Sequence, residues 1–239
     1  QGISDWRELI RRSIDDIHWF WNAALDDLGI EWFEKYHTLL DDARGLPWTQ
    51  WFLGGKLNIT HNCLDRHVRD GRAGKVALLW EGDDGISRRA TYGQLHDAVN
   101  RLAAAMAKAG VRRGDVVGMC MPITLEAVAV MFATMKLGAA CMQIAARWAP
   151  GEVAEALARG PAKMLFVSDH YRRAGKEFSL RSVIDAALRE VPALERIVVV
   201  PRLPGGPPQT ARSLPQAGPQ AGADIAAAER RVVEYQAFL

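Results

Sequence analysis

From residue 114 to residue 200 the sequence repeats one pattern, and that repeat limits the folds open to it more than any other feature. "GDVVGMCM" (114–121) is a near-continuous apolar run closed by Pro122, and "LEAVAVMFATMKLG" (125–138) spaces apolar residues three and four apart. A second apolar run follows near "AACMQI", then a helix opened by Pro150, the run "AKMLFVS", a helix opened by Ser179, and "RIVVV" at 196–200. A run apolar at every position is buried on both faces, so helices must cover it above and below. The fold class expected is α/β: a mostly parallel sheet with flanking helices.

Upstream the pattern differs. Residues 3–50 read as helical and aromatic, with Trp6, Ile10, Ile14, Ile17, Trp19, Phe20 and Trp21 followed by Leu25, Leu28, Ile30, Trp32, Phe33 and Tyr36 at mostly three-to-four spacing, until Pro47 interrupts. Two short apolar runs in "KVALLWEGDDGISRRATYGQL" flank Asp83, Asp84 and Gly85, which predicts a hairpin with a turn at the acidic pair. Thr91 and Gln94 match a capping box, and the helix they open carries Leu95, Val99, Leu102, Ala103 and Met106 on one face before stopping at Gly110. Residues 201–230 are rich in Pro, Gly and Ala with little apolar area, so a mobile segment is expected there; within 231–239, "VVEYQAFL" (232–239) then resumes a strand-like run.

A formal net charge of +2 gives no global pull toward nucleic acid or an acidic membrane surface, so neither is expected as a partner and any cationic binding must be local. Cys63, Cys120 and Cys141 are odd in number and widely spaced, two of them in apolar runs, which favours reduced, buried thiols and a cytoplasmic setting. The sequence has no apolar run of transmembrane length and no leader pattern.

Candidate chemistry concentrates in two places. "WFLGGKLNITHNCLDRH" (51–67) offers Gly54, Gly55 and Lys56, but the outer glycine and the Ser/Thr of a phosphate loop are missing. Its His61, Cys63, Asp65 and His67 lack the paired spacings of a structural zinc site, so no metal ligands are assigned and capping or turn roles are expected. No dinucleotide glycine fingerprint follows any strand, and Asp83 with Asp84 reads as turn chemistry rather than a paired-carboxylate catalyst. The second place is "YRRAGKEF", after the run "KMLFVS". Arg172, Arg173 and Lys176 surround a small Ala174, Gly175 step at the carboxyl end of an expected parallel strand, where such sheets bind ligands. It reads as a phosphate-binding turn or as a solvated basic turn.

Residues 51–67, with Thr91, Tyr92 and Leu95, "GVRRGD" (110–115), Met121, Pro122, Glu126 and Ala127, and "KLGA" (136–139), resemble the N-terminal part of the acetyl-coenzyme A synthetase family of adenylate-forming enzymes. The resemblance implies a helical N-terminal extension and joining segment at 1–67, an α/β subdomain of the AMP-binding large domain at 68–200, and the start of a further strand at 231–239. It implies an ATP-dependent, magnesium-requiring acyl-CoA ligase of the acetate or short-chain type. Acid and ATP give an acyl-adenylate and pyrophosphate, and coenzyme A then displaces AMP. A short basic run of that family contacts coenzyme A and falls on Arg173, Ala174, Gly175 and Lys176. The family's aromatic-glycine loop is replaced here by Ala145, Ala146, Arg147 and Trp148, where an Arg and an Ala narrow the coenzyme A path. The phosphate loop, acyl pocket and catalytic lysine of the family lie downstream of these residues, so no catalytic residue is assigned and the 239 residues alone are expected to be inactive. A non-catalytic module that binds coenzyme A or a protein partner is the alternative, and the aromatic extension offers a surface for self-association.

Overall fold

The computed structural model describes residues 3–202 and 231–239. The Pro/Gly/Ala-rich segment expected at 201–230 therefore lies outside the described residues, apart from its first two. The chain divides into two compact units, Gln1–Asn62 and Cys63–Leu239.

In the first unit, α1 (Trp6–Asp15) and α2 (Ile17–Asp27) each begin at an aspartate: Asp5 accepts the Arg7 N–H and Asp16 accepts the Trp19 N–H, both at 2.9 Å. No residue of α1 is buried, and Trp6, Ile10 and Ile14 are exposed along it. The helical reading of 3–50 holds only to Asp27. Gly29 takes a left-handed φ of 58°, and beyond it the chain forms β1 (Thr38–Asp41) and β2 (Gln50–Leu53), an antiparallel pair in which Leu40 faces Trp51. The spacing of Trp32 and Tyr36 is not a helical stripe. Their rings meet edge to face at 5.1 Å, and both pack on Phe52 of β2, at 5.6 and 5.2 Å.

The second unit holds the α/β body. The hairpin β3 (Val76–Glu81) and β4 (Ser87–Thr91) leads through the expected capping box into α3 (Tyr92–Lys108), whose buried residues are Leu95, Val99, Leu102, Ala103 and Met106. Then come β5 (Val116–Cys120), α4 (Leu125–Lys136), β6 (Ala140–Gln143), α5 (Pro150–Arg159), β7 (Ala162–Ser168), a ribbon of β8 (His170–Arg173) and β9 (Lys176–Ser179), α6 (Arg181–Glu190) and β10 (Arg196–Val200). Leu180, not Ser179, is the N-cap of α6; the Ser179 hydroxyl accepts the Arg181 N–H at 3.2 Å. The strand run expected at 231–239 lasts only for β11 (Val232–Glu234). It gives way to a helical turn, α7 (Tyr235–Phe238), because Tyr235 and Phe238, three apart, are both buried and Phe238 meets Phe166 at 5.8 Å.

The sheet order is β11-β10-β7-β5-β6, all parallel. Alternate residues of each strand enter different cores. Val117, Met119, Met164, Phe166, Val198 and Val200 pack with α3, α4 and α7, whereas Cys120, Leu165, Val167, Ile197 and Val199 pack with α5 and α6. Double coverage of a parallel sheet is what the continuous apolar runs required.

Candidate functional site

The glycines of 51–67 serve aromatic packing. A Cβ on Gly55 would lie 2.6 Å from the Trp32 ring and 2.9 Å from the Phe52 carbonyl oxygen; one on Gly54, whose φ is +77°, would lie 2.5 Å from the His37 ring. Lys56 pairs with Glu34 at 2.8 Å on the surface. The four residues that suggested a metal are separately engaged or exposed. His61 Nε2 is 2.7 Å from Glu31, Asp65 receives Lys136 at 2.8 Å, the His67 ring meets that of Tyr92 at a tilt at 5.0 Å, and Cys63 is exposed. Burial, then the charges of Arg66 and Arg72, holds the His67 imidazole below its ordinary pKa. Among the described residues no three His, Cys, Asp or Glu side chains form a group that could hold a metal ion.

The carboxyl edge of the parallel sheet is built differently. β5 lies between β6 and β7, and the helix after β5 covers one face while the helix after β6 covers the other. Crossovers that diverge in this way open a crevice at the strand ends, where open α/β sheets bind ligands. Beside it is a cavity of about 480 Å³ walled by Met119, Met121, Ile123, Met131, Arg147 and Trp148, so the 145–148 loop forms part of the lining. The β5 to α4 wall is pinned from the β3–β4 hairpin. The Trp80 indole N–H donates to the Ile123 carbonyl at 2.6 Å, and Arg88 grips Glu126 through two bonds of 3.1 and 2.6 Å.

The cationic run leaves β7 as an antiparallel ribbon, not as a loop. Arg173 pairs with Lys176 across the two-residue tip formed by Ala174 (φ 49°) and Gly175 (φ 75°), and Tyr171 stacks on Phe178 at 5.0 Å. Two successive positive φ values are the conformation that turns a tight two-residue hairpin; Gly175 enters it freely, whereas the Cβ of Ala174 makes it costly at the first position. Arg173, Ala174, Gly175 and Lys176 are all exposed, and the two cations are brought together by the strand register. Along the ribbon His170 and Arg172 alternate with Tyr171 and Arg173, so the two sets occupy opposite faces.

Behind the ribbon is a buried polar cluster that reading the sequence did not foresee. Arg202, just past β10, is 5% exposed and lies 2.8 Å from Asp84 and 3.5 Å from Asp83. The Asp84 side chain is 7% exposed and also lies 3.8 Å from Arg172. Asp169, at the end of β7, accepts N–H donors from His170 at 2.7 Å and Arg202 at 3.0 Å. The Arg202 guanidinium, then the Ile86 N–H, holds the Asp84 carboxyl below its ordinary pKa against the opposing effect of burial. The acidic pair does make the expected turn, but Asp84 also bonds outward to a residue more than a hundred positions away. A carboxylate directly after an apolar strand, as at Asp169, was the one local signal available.

These features define an open α/β domain: a doubly covered parallel sheet with a largely apolar cavity and a cationic ribbon along its carboxyl edge. The family model described as "AMP-binding enzyme" matches residues 64–234, and the chain belongs to that family. A second model, "Acetyl-coenzyme A synthetase N-terminus", matches residues 6–63. Among curated relatives, the acetyl-coenzyme A synthetase of Alkalilimnicola ehrlichii is 35% identical over 205 residues, covering 84% of this chain and 31% of that enzyme. That of Syntrophus aciditrophicus is 35% identical over 199 residues, covering 82% and 30%. The solved structure of acetoacetyl-CoA synthetase from Streptomyces lividans superposes with a TM-score of 0.77 at 28% identity, over 87% of this chain and 32% of that one. The chain thus spans about 30% of the length of the curated relatives it matches. Among the described residues no helix is long and apolar enough to cross a membrane.

Proposed function

We propose that this chain supplies the coenzyme A-facing part of an ATP-dependent acyl-CoA ligase that acts on acetate or another short-chain acid. The overall reaction joins acid and coenzyme A with conversion of ATP to AMP and pyrophosphate, through an acyl-adenylate whose mixed anhydride makes AMP the leaving group. Arg173 and Lys176 hold phosphate oxygens at the nucleotide end of coenzyme A, while Ala174 and Gly175 keep the tip narrow enough for close approach. The exposed cationic pair at the ribbon tip is the observation that carries this reading. A guanidinium and an ammonium paired directly across the two strands match a cluster of phosphate charges, and Lys176 provides charge without the fork of an arginine. Arg147 and Trp148 line the cavity beside the sheet, and in this reading they narrow the route that coenzyme A takes. Magnesium and ATP belong to the same proposal as co-substrates of the adenylation step. Because the chain covers about 30% of its relatives, we assign it binding and not turnover on its own.

Calorimetric titration of the chain with coenzyme A tests the reading. One charge-assisted hydrogen bond contributes about 1.5 to 3 kcal/mol, so Arg173→Ala should weaken binding at least tenfold and Lys176→Ala should weaken it less. No binding by the parent, or equal affinity in parent and Arg173→Ala, would discard it.

A further inference from the structure

The turn between β3 and β4 sits far in sequence from the ribbon, yet its carboxylates reach the ribbon's root. Asp84 Oδ2 is shared by two guanidinium groups, Arg202 at 2.8 Å and Arg172 at 3.8 Å, and the Asp84 and Arg202 side chains are almost wholly buried. Asp83 adds a second carboxylate to Arg202 at 3.5 Å. Asp169 fastens the main chain of His170 and of Arg202 to the end of β7. Three segments of chain, the β3–β4 turn, residues 169–172 and Arg202, therefore meet at one small acidic and basic cluster. Gly82 makes the inward pose of Asp84 available: a Cβ there would lie 2.4 Å from Asp84 Oδ1 and 2.8 Å from the Trp80 ring.

We propose that Asp84 is a positioning residue: by drawing in Arg172, it fixes the rotation of the β8–β9 ribbon so that Arg173 and Lys176, on the opposite face, are presented together to a phosphate-bearing ligand. The inference rests on the coenzyme A reading of the tip. Its physical basis is charge balance at the root. Two guanidinium groups repel one another, and Asp84 is the carboxylate that both reach; without its charge Arg172 is freed and the ribbon loses the side chain that sets its twist. A two-stranded ribbon has little stability of its own, so an anchor at one face governs the face opposite.

The test combines two readouts on the full chain. Coenzyme A affinity is measured for the parent, Asp84→Asn, Arg172→Ala, the double variant and Arg173→Ala, and hydrogen exchange is followed at the amides of 170–179. Asp84→Asn and Arg172→Ala are each expected to weaken binding about tenfold, with the double variant no worse than either, because both break one link. Both should also speed exchange through 170–179. If these two variants bind and exchange like the parent while Arg173→Ala loses binding, the positioning role is refuted and the tip reading stands. If the parent does not bind coenzyme A, the tip reading fails. Exchange then decides the anchoring alone, with unchanged protection in Asp84→Asn overturning it. Arg172→Ala leaves the Asp84–Arg202 pair in place, so it carries the test should Asp84→Asn fail to fold.

Discussion

Replacing Gly55 by alanine separates the packing role of the Gly54, Gly55 step from any role in cradling phosphate. The added Cβ would sit 2.6 Å from Trp32 Cζ3 and 2.9 Å from the Phe52 carbonyl oxygen. Carbon atoms rest at about 3.5 to 4.0 Å, so the Trp32 ring must retreat by about 1 Å. It cannot do so freely, because it already meets Tyr36 at 5.1 Å and Phe52 at 5.6 Å. Overpacking of this kind costs about 1 to 3 kcal/mol. Taking a urea slope of about 2 kcal/mol/M, the midpoint should fall by about 1 M. Tryptophan emission is a suitable probe, since Trp80 and Trp148 are the two of the eight tryptophans that lie outside residues 1–62. Gly54→Ala should cost at least as much: its φ of +77° alone penalises alanine by about 1 to 2 kcal/mol, and His37 must also move. A Gly55→Ala midpoint within about 0.2 M of the parent, well inside the expected fall, would refute the packing argument.

Other consequences can be measured on the same protein. Leu157→Ala removes a fully buried side chain from the core beneath α5, and denaturant unfolding should show a loss of about 2 to 5 kcal/mol. With a thiol reagent at pH 8, Cys63 should react at once, whereas Cys120, buried and with its thiol pushed up to about 12, should react only after unfolding. Asp115 accepts the Arg112 N–H at 2.7 Å and Lys163 at 3.2 Å, and these bonds, the Arg112 one foremost, hold its carboxyl below the ordinary 3.8. A depressed folded value means that its contribution to stability is whole above the unfolded pKa and drains away as pH falls through the folded one. Midpoints measured from pH 6 down to pH 2 should therefore decline less for Asp115→Asn than for the parent over the acid end of that range.

The parallel sheet was legible because each of its buried strands carries its own signal. Val116 to Cys120, Leu165 to Val167 and Ile197 to Val200 are apolar at nearly every step, and no partner is needed to recognise that. The face of α3 was equally plain, since its five buried residues are set by helical spacing alone. Aromatic residues misled where they clustered. Trp32, Phe33 and Tyr36 have the spacing of a helix, but Trp32 and Tyr36 lie ahead of β1 and pack on Phe52 of β2, a contact between positions 16 or more apart. The ribbon tip could be picked out by composition as a basic turn, yet its antiparallel form depends on the pairing of His170 with Ser179 and Tyr171 with Phe178. Arg202 was not legible at all. A lone arginine after a strand says nothing until the hairpin turn, 119 positions from Arg202 to Asp83, is brought beside it.

The alternation of the sheet residues between two cores also bears on how such a chain can change over generations. Phe166 belongs to one core while its neighbours Leu165 and Val167 belong to the other. A bulkier residue at 166 cannot be accommodated by shifting the strand away from α4 without driving 165 and 167 into α5 and α6. The substitutions tolerated on one side are therefore conditional on what already occupies the other. Mutations along β5, β7 and β10 should show epistasis across the sheet, so that residues with no contact between them drift as linked pairs.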